Sequence, residues 1–108
     1  MQDLKDITII GAGPTGLFGA FYAGMRGASC CLIDNLDQVG GQLTALYPEK
    51  YIFDVAGFPK VLSKDLVKGM AEQALQFQAP LHLGEKVIGL RADGEGGRPA
   101  FVVVTDRD

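Results

Sequence analysis

Ile7-Thr8-Ile9-Ile10-Gly11-Ala12-Gly13-Pro14-Thr15-Gly16 is a short apolar run that leads straight into G-x-G-x-x-G, and the residues beyond it have helical character. A strand, a glycine turn and a helix in that order form a cradle for the pyrophosphate of a dinucleotide. Gly11 lets the backbone turn sharply off the strand end. Gly13 has no Cβ, so a phosphate can come close to the main chain, and Gly16 lets the helix pack tightly against the strand. Pro14 sits where the missing N–H has no partner to lose. The remaining first-turn N–H groups and the positive end of the helix dipole face the phosphates.

Outward from this turn, Lys5 to Ile10 reads as a first strand, apolar enough for a central parallel strand covered on both faces. Pro14 to about Arg26 reads as a helix, with Leu17, Phe21 and Gly24–Met25 on one stripe and Ala20 beside them. Arg26 suits the last turn, and Gly27 is a natural C-cap. Ser29 to Ile33 is the second strand, so a strand–helix–strand unit with a right-handed crossover is complete by residue 34. Asp34 ends that strand, eighteen positions after Gly16. A carboxylate there can accept the hydroxyl hydrogens of the adenosine ribose, and it repels a 2′-phosphate. The site therefore favours FAD or NAD over NADP, the alternative being a solvated acid at a strand end.

The stretch from Asn35 to Pro59 has little periodicity, and a loop of that length is usually functional. It holds a second glycine pair, Gly40-Gly41, followed by Gln42, whose amide both donates and accepts and so suits the edge of a flavin ring. Tyr47 can stack on a planar ring system. The competing reading makes Tyr47, Tyr51, Phe53 and Phe58 a small satellite core under the loop. A helix is expected from Ser63 or Lys64 to Phe77, with Ser63 as N-cap, Asp65 in the first turn and Leu66, Met70, Ala74 and Leu75 facing the core. Leu81 to Leu83 reads as a further parallel strand, and His82 as a residue that simply alternates out of it. Glu85 to Arg91 and Ala100 to Thr105 read as a hairpin joined by a glycine-rich turn.

The 108 residues, 47% hydrophobic and 21% charged, suffice for one modest domain. A net charge of −3 gives no electrostatic footprint for nucleic acid. The polar, partly acidic start is wrong for a secretory leader, and no apolar run approaches a membrane span, so a cytoplasmic location is expected. Cys30 and Cys31 are adjacent, too close for a C-x-x-C pair and too few for a metal site, and read as small buried hydrophobes.

The run GGQLTALYPEKYIFDVAGFP, from Gly40 to Pro59, resembles the ferredoxin–NADP⁺ reductases of the thioredoxin-reductase-like type. The opening DITIIGAGPTGLFGAFYAGMRGAS and the helix bearing Lys64-Asp65-Leu66 and Glu72-Gln73 are similar to the same enzymes. The resemblance implies an α/β fold: an incomplete Rossmann-like FAD-binding domain, with a parallel sheet, flanking helices and a β-hairpin or meander. It implies an FAD enzyme, usually a homodimer, that moves electrons between NADPH and a small redox protein such as ferredoxin. By position, Gly11, Gly13, Pro14, Thr15 and Gly16 match the phosphate loop, and Asp34 matches the ribose-binding acid. Gly41, Gln42 and Tyr47 match the flavin turn, and Val87 matches a residue whose main chain meets the adenine end. No general acid, nucleophile or metal ligand is implied, since the redox chemistry belongs to the flavin.

Family members run to two or three times this length, so residues 1–108 are expected to be the N-terminal part of the FAD domain. The NADPH-binding domain and a later FAD-completing segment are then absent, and a free sheet edge is open to pairing. Binding without turnover is the expectation for the chain alone. Thioredoxin reductases proper and a non-enzymatic dinucleotide-binding module are the alternatives.

Overall fold

The computed structural model describes residues 4–45, 49–94, 97 and 99–107. Three parallel strands form the main sheet among them: β1 (Ile7–Ile10), β2 (Cys30–Asp34) and β3 (Leu81–Leu83), in the order β1-β2-β3. Ile7 lies opposite Cys30 and Ile10 opposite Ile33, while Leu32 to Asp34 pair with Leu81 to Leu83. The central strand is therefore β2, not β1. Four of its five residues are buried, whereas Ile10 of β1 is 59% exposed. β1 is an edge strand among the described residues, because no strand of this chain pairs with its outer side. Its continuous apolarity is thus left half uncovered.

Helix α1 (Pro14–Met25) connects β1 to β2 and packs chiefly against α2 (Ser63–Leu75). Its buried stripe is Leu17, Ala20 and Ala23; Leu17 and Ala20 are as expected and Phe21 is half-buried against Phe77, but the expected Met25 is exposed. The reason is room. α1 is wedged between the sheet and a second helix, and its close side must be small. Gly24 lies directly under the ring of Phe77, and Phe18, Tyr22 and Met25 are turned outward. The core is completed by Ala12, Cys30, Leu32 and Ala74, with Ile9, Met70, Leu75 and Leu81 packed on it. The C-terminus of α1 closes as expected at Gly27, whose φ is +75°. The Ala28 N–H reaches the Ala23 carbonyl at 2.9 Å and the Gly27 N–H reaches that of Gly24 at 3.1 Å, a Schellman motif.

Residues 35–62 contain more regular structure than expected. A one-turn helix spans Gln42–Ala45, and a two-residue antiparallel ladder pairs Tyr51 with Leu62 and Ile52 with Val61. The described residues form no satellite core: Tyr51, Phe53 and Phe58 are exposed, and Tyr47 lies outside the described residues. The short ladder runs directly into α2, so its N-cap is Leu62 rather than Ser63. Ser63 is instead buried, and its N–H and hydroxyl both donate to the Lys50 carbonyl, at 2.8 and 3.0 Å.

The hairpin forms from β4 (Val87–Ala92) and β5 (Phe101–Thr105), antiparallel, with a bulge near Gly89. Its main contacts are between its own two strands. It makes the molecule long, 52 × 30 × 20 Å, with a radius of gyration of 15.4 Å. A compact chain of this length has a radius near ~13 Å.

Candidate functional site: two interlocked glycine turns

At the carboxyl end of β1 the chain leaves the sheet through Gly11, whose φ of +111° excludes most L side chains. The Gly11 N–H still pairs with the Ile33 carbonyl, at 2.8 Å, so the turn starts from a fixed point on β2. Gly13 is the N-cap of α1 and Pro14 its first residue. No side chain caps this helix, so its first-turn N–H groups, those of Thr15 and Gly16 included, face outward. An added Cβ on Gly16 would sit on the Gly11 carbonyl oxygen, so this glycine serves the packing of helix on turn. An added Cβ on Gly13 would meet nothing nearer than the Gly41 Cα, at 3.9 Å. Gly13 thus leaves open a space that the fold itself does not fill. Gly11, Gly13, Pro14, Thr15 and Gly16, with Ile9 and Ile10, line an open depression of about 410 Å³.

The second glycine pair is docked onto this first turn. The Gly40 N–H donates to the Ala12 carbonyl at 2.8 Å. A Cβ on Gly41 would come within 3.3 Å of the Gly13 Cα. The Thr44 hydroxyl, from the one-turn helix that Gln42 opens, donates to the Val39 carbonyl at 2.6 Å and holds the pair in place. Asp34 joins the same knot from β2. Its Oδ2 accepts the Ala12 N–H at 2.6 Å, and its Oδ1 accepts the Leu36 N–H at 2.8 Å. Ala12, fully buried, is therefore bonded on both sides of its peptide unit, to the acid through N–H and to the second turn through C=O. Sequence reasoning passed over it. The only signal was that the position between the two first glycines is held by the smallest side chain with a Cβ.

Val87 opens β4 on the Asp34 side of the sheet. The Glu85 N–H donates to the Asp34 carbonyl at 3.0 Å, and the Gly84 N–H donates to that of Leu36 at 2.9 Å. The structure thus gathers Gly11 to Gly16, Asp34 and Gly40–Gln42 at one end of the parallel sheet, while Val87 pairs with Thr105 in the hairpin, two residues beyond the Glu85 that bonds the Asp34 carbonyl. Tyr47 lies outside the described residues. Carboxyl ends of parallel strands are where open α/β sheets bind ligands.

The opposite end of β2 offers less. A cavity of about 160 Å³ there is lined by Lys5, Cys30, Phe77 and Pro80 among others. Burial pushes the Cys30 thiol up from its ordinary value, the neighbouring Cys31 adds to this, and Lys5 opposes it. Both cysteines are unpaired and buried, as small hydrophobes would be. His82 is half exposed, with Nδ1 3.7 Å from Glu85 Oε1. Among the described residues no three His, Cys, Asp or Glu side chains converge as metal ligands, and no helix is long and apolar enough to cross a membrane.

The sheet and turn together have the Rossmann-like fold. A family model described as "NAD(P)-binding Rossmann-like domain" matches residues 9–58. The sequence resemblance to ferredoxin–NADP reductases holds as well. The chain is 58% identical over 93 residues to the ferredoxin–NADP reductase of Thermus thermophilus, covering 86% of this chain and 28% of that protein. It is 54% identical over 106 residues to ferredoxin–NADP reductase 2 of Bacillus cytotoxicus, covering 98% of this chain and 31% of that one. Among solved structures, thioredoxin reductase of T. acidophilum superposes with a TM-score of 0.77 at 31% identity, over 96% of this chain and 31% of that chain. Thioredoxin reductase of Lactococcus lactis shares the fold with a TM-score of 0.78 at 23% identity, over 97% of this chain and 32% of that one. The chain thus spans under a third of the length of each of these four relatives.

Proposed function

We propose that residues 1–108 are the N-terminal part of the FAD-binding domain of a cytoplasmic, homodimeric flavoprotein that moves electrons between NADPH and a ferredoxin. The observation that carries this reading is the junction at Ala12, which brings the phosphate turn and the Gly40-Gly41 turn into one cradle. A dinucleotide-binding module that used only the first turn would have no need of the second. The fit to FAD rests on the open space at Gly13, the uncapped N-terminus of α1 and a neighbouring acid.

Gly11 and Gly13 would let the pyrophosphate approach, and the N–H groups at Thr15 and Gly16 would hydrogen-bond it. Asp34 already satisfies two protein N–H groups with one lone pair on each oxygen. The remaining lone pairs would take the ribose hydroxyls, and the main chain at Val87 would border the adenine. Gly41, Gln42 and Tyr47 would hold the isoalloxazine end. When bound, the flavin supplies the hydride and single-electron chemistry, and the protein positions it. NADPH would bind in a domain beyond this chain.

The likeness to thioredoxin reductases supports a second reading, a flavoenzyme acting on a disulfide. Thioredoxin against ferredoxin as acceptor separates the two. The first test is a flavin-fluorescence titration of FAD, with NAD as competitor, on this chain and on the full-length protein. Saturable quenching that NAD does not reverse is expected of the full-length protein. No binding there overturns the flavoprotein reading.

A further inference from the structure

Resting on that reading, we infer that Thr44 is a positioning residue for the flavin: its hydroxyl fixes the one-turn helix that begins at Gln42, and through it the edge of the site that takes the isoalloxazine. A helix of four residues does not hold itself, since isolated helices shorter than about 12–15 residues are marginal in water. What holds this one is tertiary. The Thr44 hydroxyl donates to the Val39 carbonyl at 2.6 Å, a short bond, and the Val39 side chain packs on the core. The Leu43 N–H adds a bond to the Gly40 carbonyl, but at 3.2 Å and to the turn itself rather than to the core.

The two glycines ahead of this helix face opposite ways. A Cβ added at Gly41 would approach Gly13, whereas one added at Gly40 would run into the Thr44 hydroxyl and both Val67 methyls. The second turn is therefore gripped between the phosphate turn on one side and Thr44 with α2 on the other. Beside Thr44 lies an open depression of about 460 Å³, lined by Gln38, Val67 and Lys68 among others. The grip on this side is thus thin, and the hydroxyl carries much of it. Without the donor the Val39 carbonyl gives up a part-buried hydrogen bond, and the one-turn helix has room to shift.

The place of this bond separates the two halves of the ligand. Adenosine and pyrophosphate lie, on the proposed reading, over Gly11 to Gly16 and Asp34, which are tied to Ile33 and Leu36 by bonds that do not involve Thr44. The isoalloxazine lies against Gly41 and Gln42, which depend on it. Thr44 therefore bears on FAD and hardly on ADP. A residue that served only the stability of the domain would bear on both alike.

The test is isothermal calorimetry of FAD and of ADP on the full-length apoprotein. Thr44→Val keeps the shape and removes the donor; it should raise the Kd for FAD about tenfold and leave that for ADP within about twofold. Thr44→Ser keeps the donor and should hold FAD binding within about twofold of wild type. Equal weakening of both ligands in Thr44→Val assigns the hydroxyl to the fold alone and overturns the inference. So does an unchanged Kd for FAD, or a Thr44→Ser protein as weak as Thr44→Val. A wild-type protein that binds ADP but not FAD overturns the flavoprotein reading itself.

Discussion

Gly16 and Gly13, three residues apart in one motif, are glycine for opposite reasons. At Gly16 a methyl group collides with the protein's own Gly11 carbonyl. At Gly13 it meets nothing closer than 3.9 Å and intrudes on empty space. The first glycine is demanded by the fold and the second by whatever the fold is for. The same division separates larger regions. The β1–α1–β2 unit is bound by core packing, while the second turn is bound to it mainly through Ala12, Asp34 and the Gly41–Gly13 approach.

Substitutions at these positions should separate fold from function in graded steps. Gly16→Val is expected to have the largest effect, a loss of roughly 3 kcal/mol or more from backbone overlap, read by urea unfolding. A cooperatively folded Gly16→Val of native stability would mean that the turn does not touch the helix as described. Asp34→Asn should cost about 1–3 kcal/mol, because an amide has one acceptor oxygen for two backbone N–H groups. Amide exchange at Ala12 and Leu36 measures this directly, and equal protection in both proteins would remove the acid from the junction.

Gly13→Ala should be milder for stability, within about 0.5 kcal/mol. Its FAD affinity in the full-length protein should fall at least ~10-fold, about 1.4 kcal/mol. Unchanged affinity would break the contrast on which the comparison rests. The smallest effect belongs to Cys30. Burial raises its pKa from the ordinary 9.0, so its thiol is neutral at physiological pH and should alkylate far more slowly in the folded chain than in urea. The sign follows: the stability linked to this thiol is present below the unfolded pKa and is lost as pH rises through the raised folded value. Equal alkylation rates folded and unfolded would show that the cavity beside it admits the reagent.

The motif-bearing parts of the molecule were legible because each carries a local signal. A strand ending in glycine, Gly27 past a helix and an acid at a strand end speak of backbone geometry that few other residues satisfy. What was not legible depends on neighbours. Hydropathy ranks Phe18, Phe21 and Met25 above Ala20 and Ala23, but a helix pressed between a sheet and α2 buries what is small. Ser63 has the composition of a cap, yet a strand running straight into the helix moved the cap to Leu62 and gave the hydroxyl to Lys50. Likewise β1 has the apolarity of a central strand, and among the described residues only the pairing order puts it at an edge. The Gly40–Ala12 bond of the knot was hidden for the same reason, since it joins main-chain atoms 28 positions apart that no side-chain pattern reports.

That knot also has an entropic meaning. The Gly40–Ala12 hydrogen bond closes a long loop within the fold, so the entropy of drawing its two ends together is spent during folding.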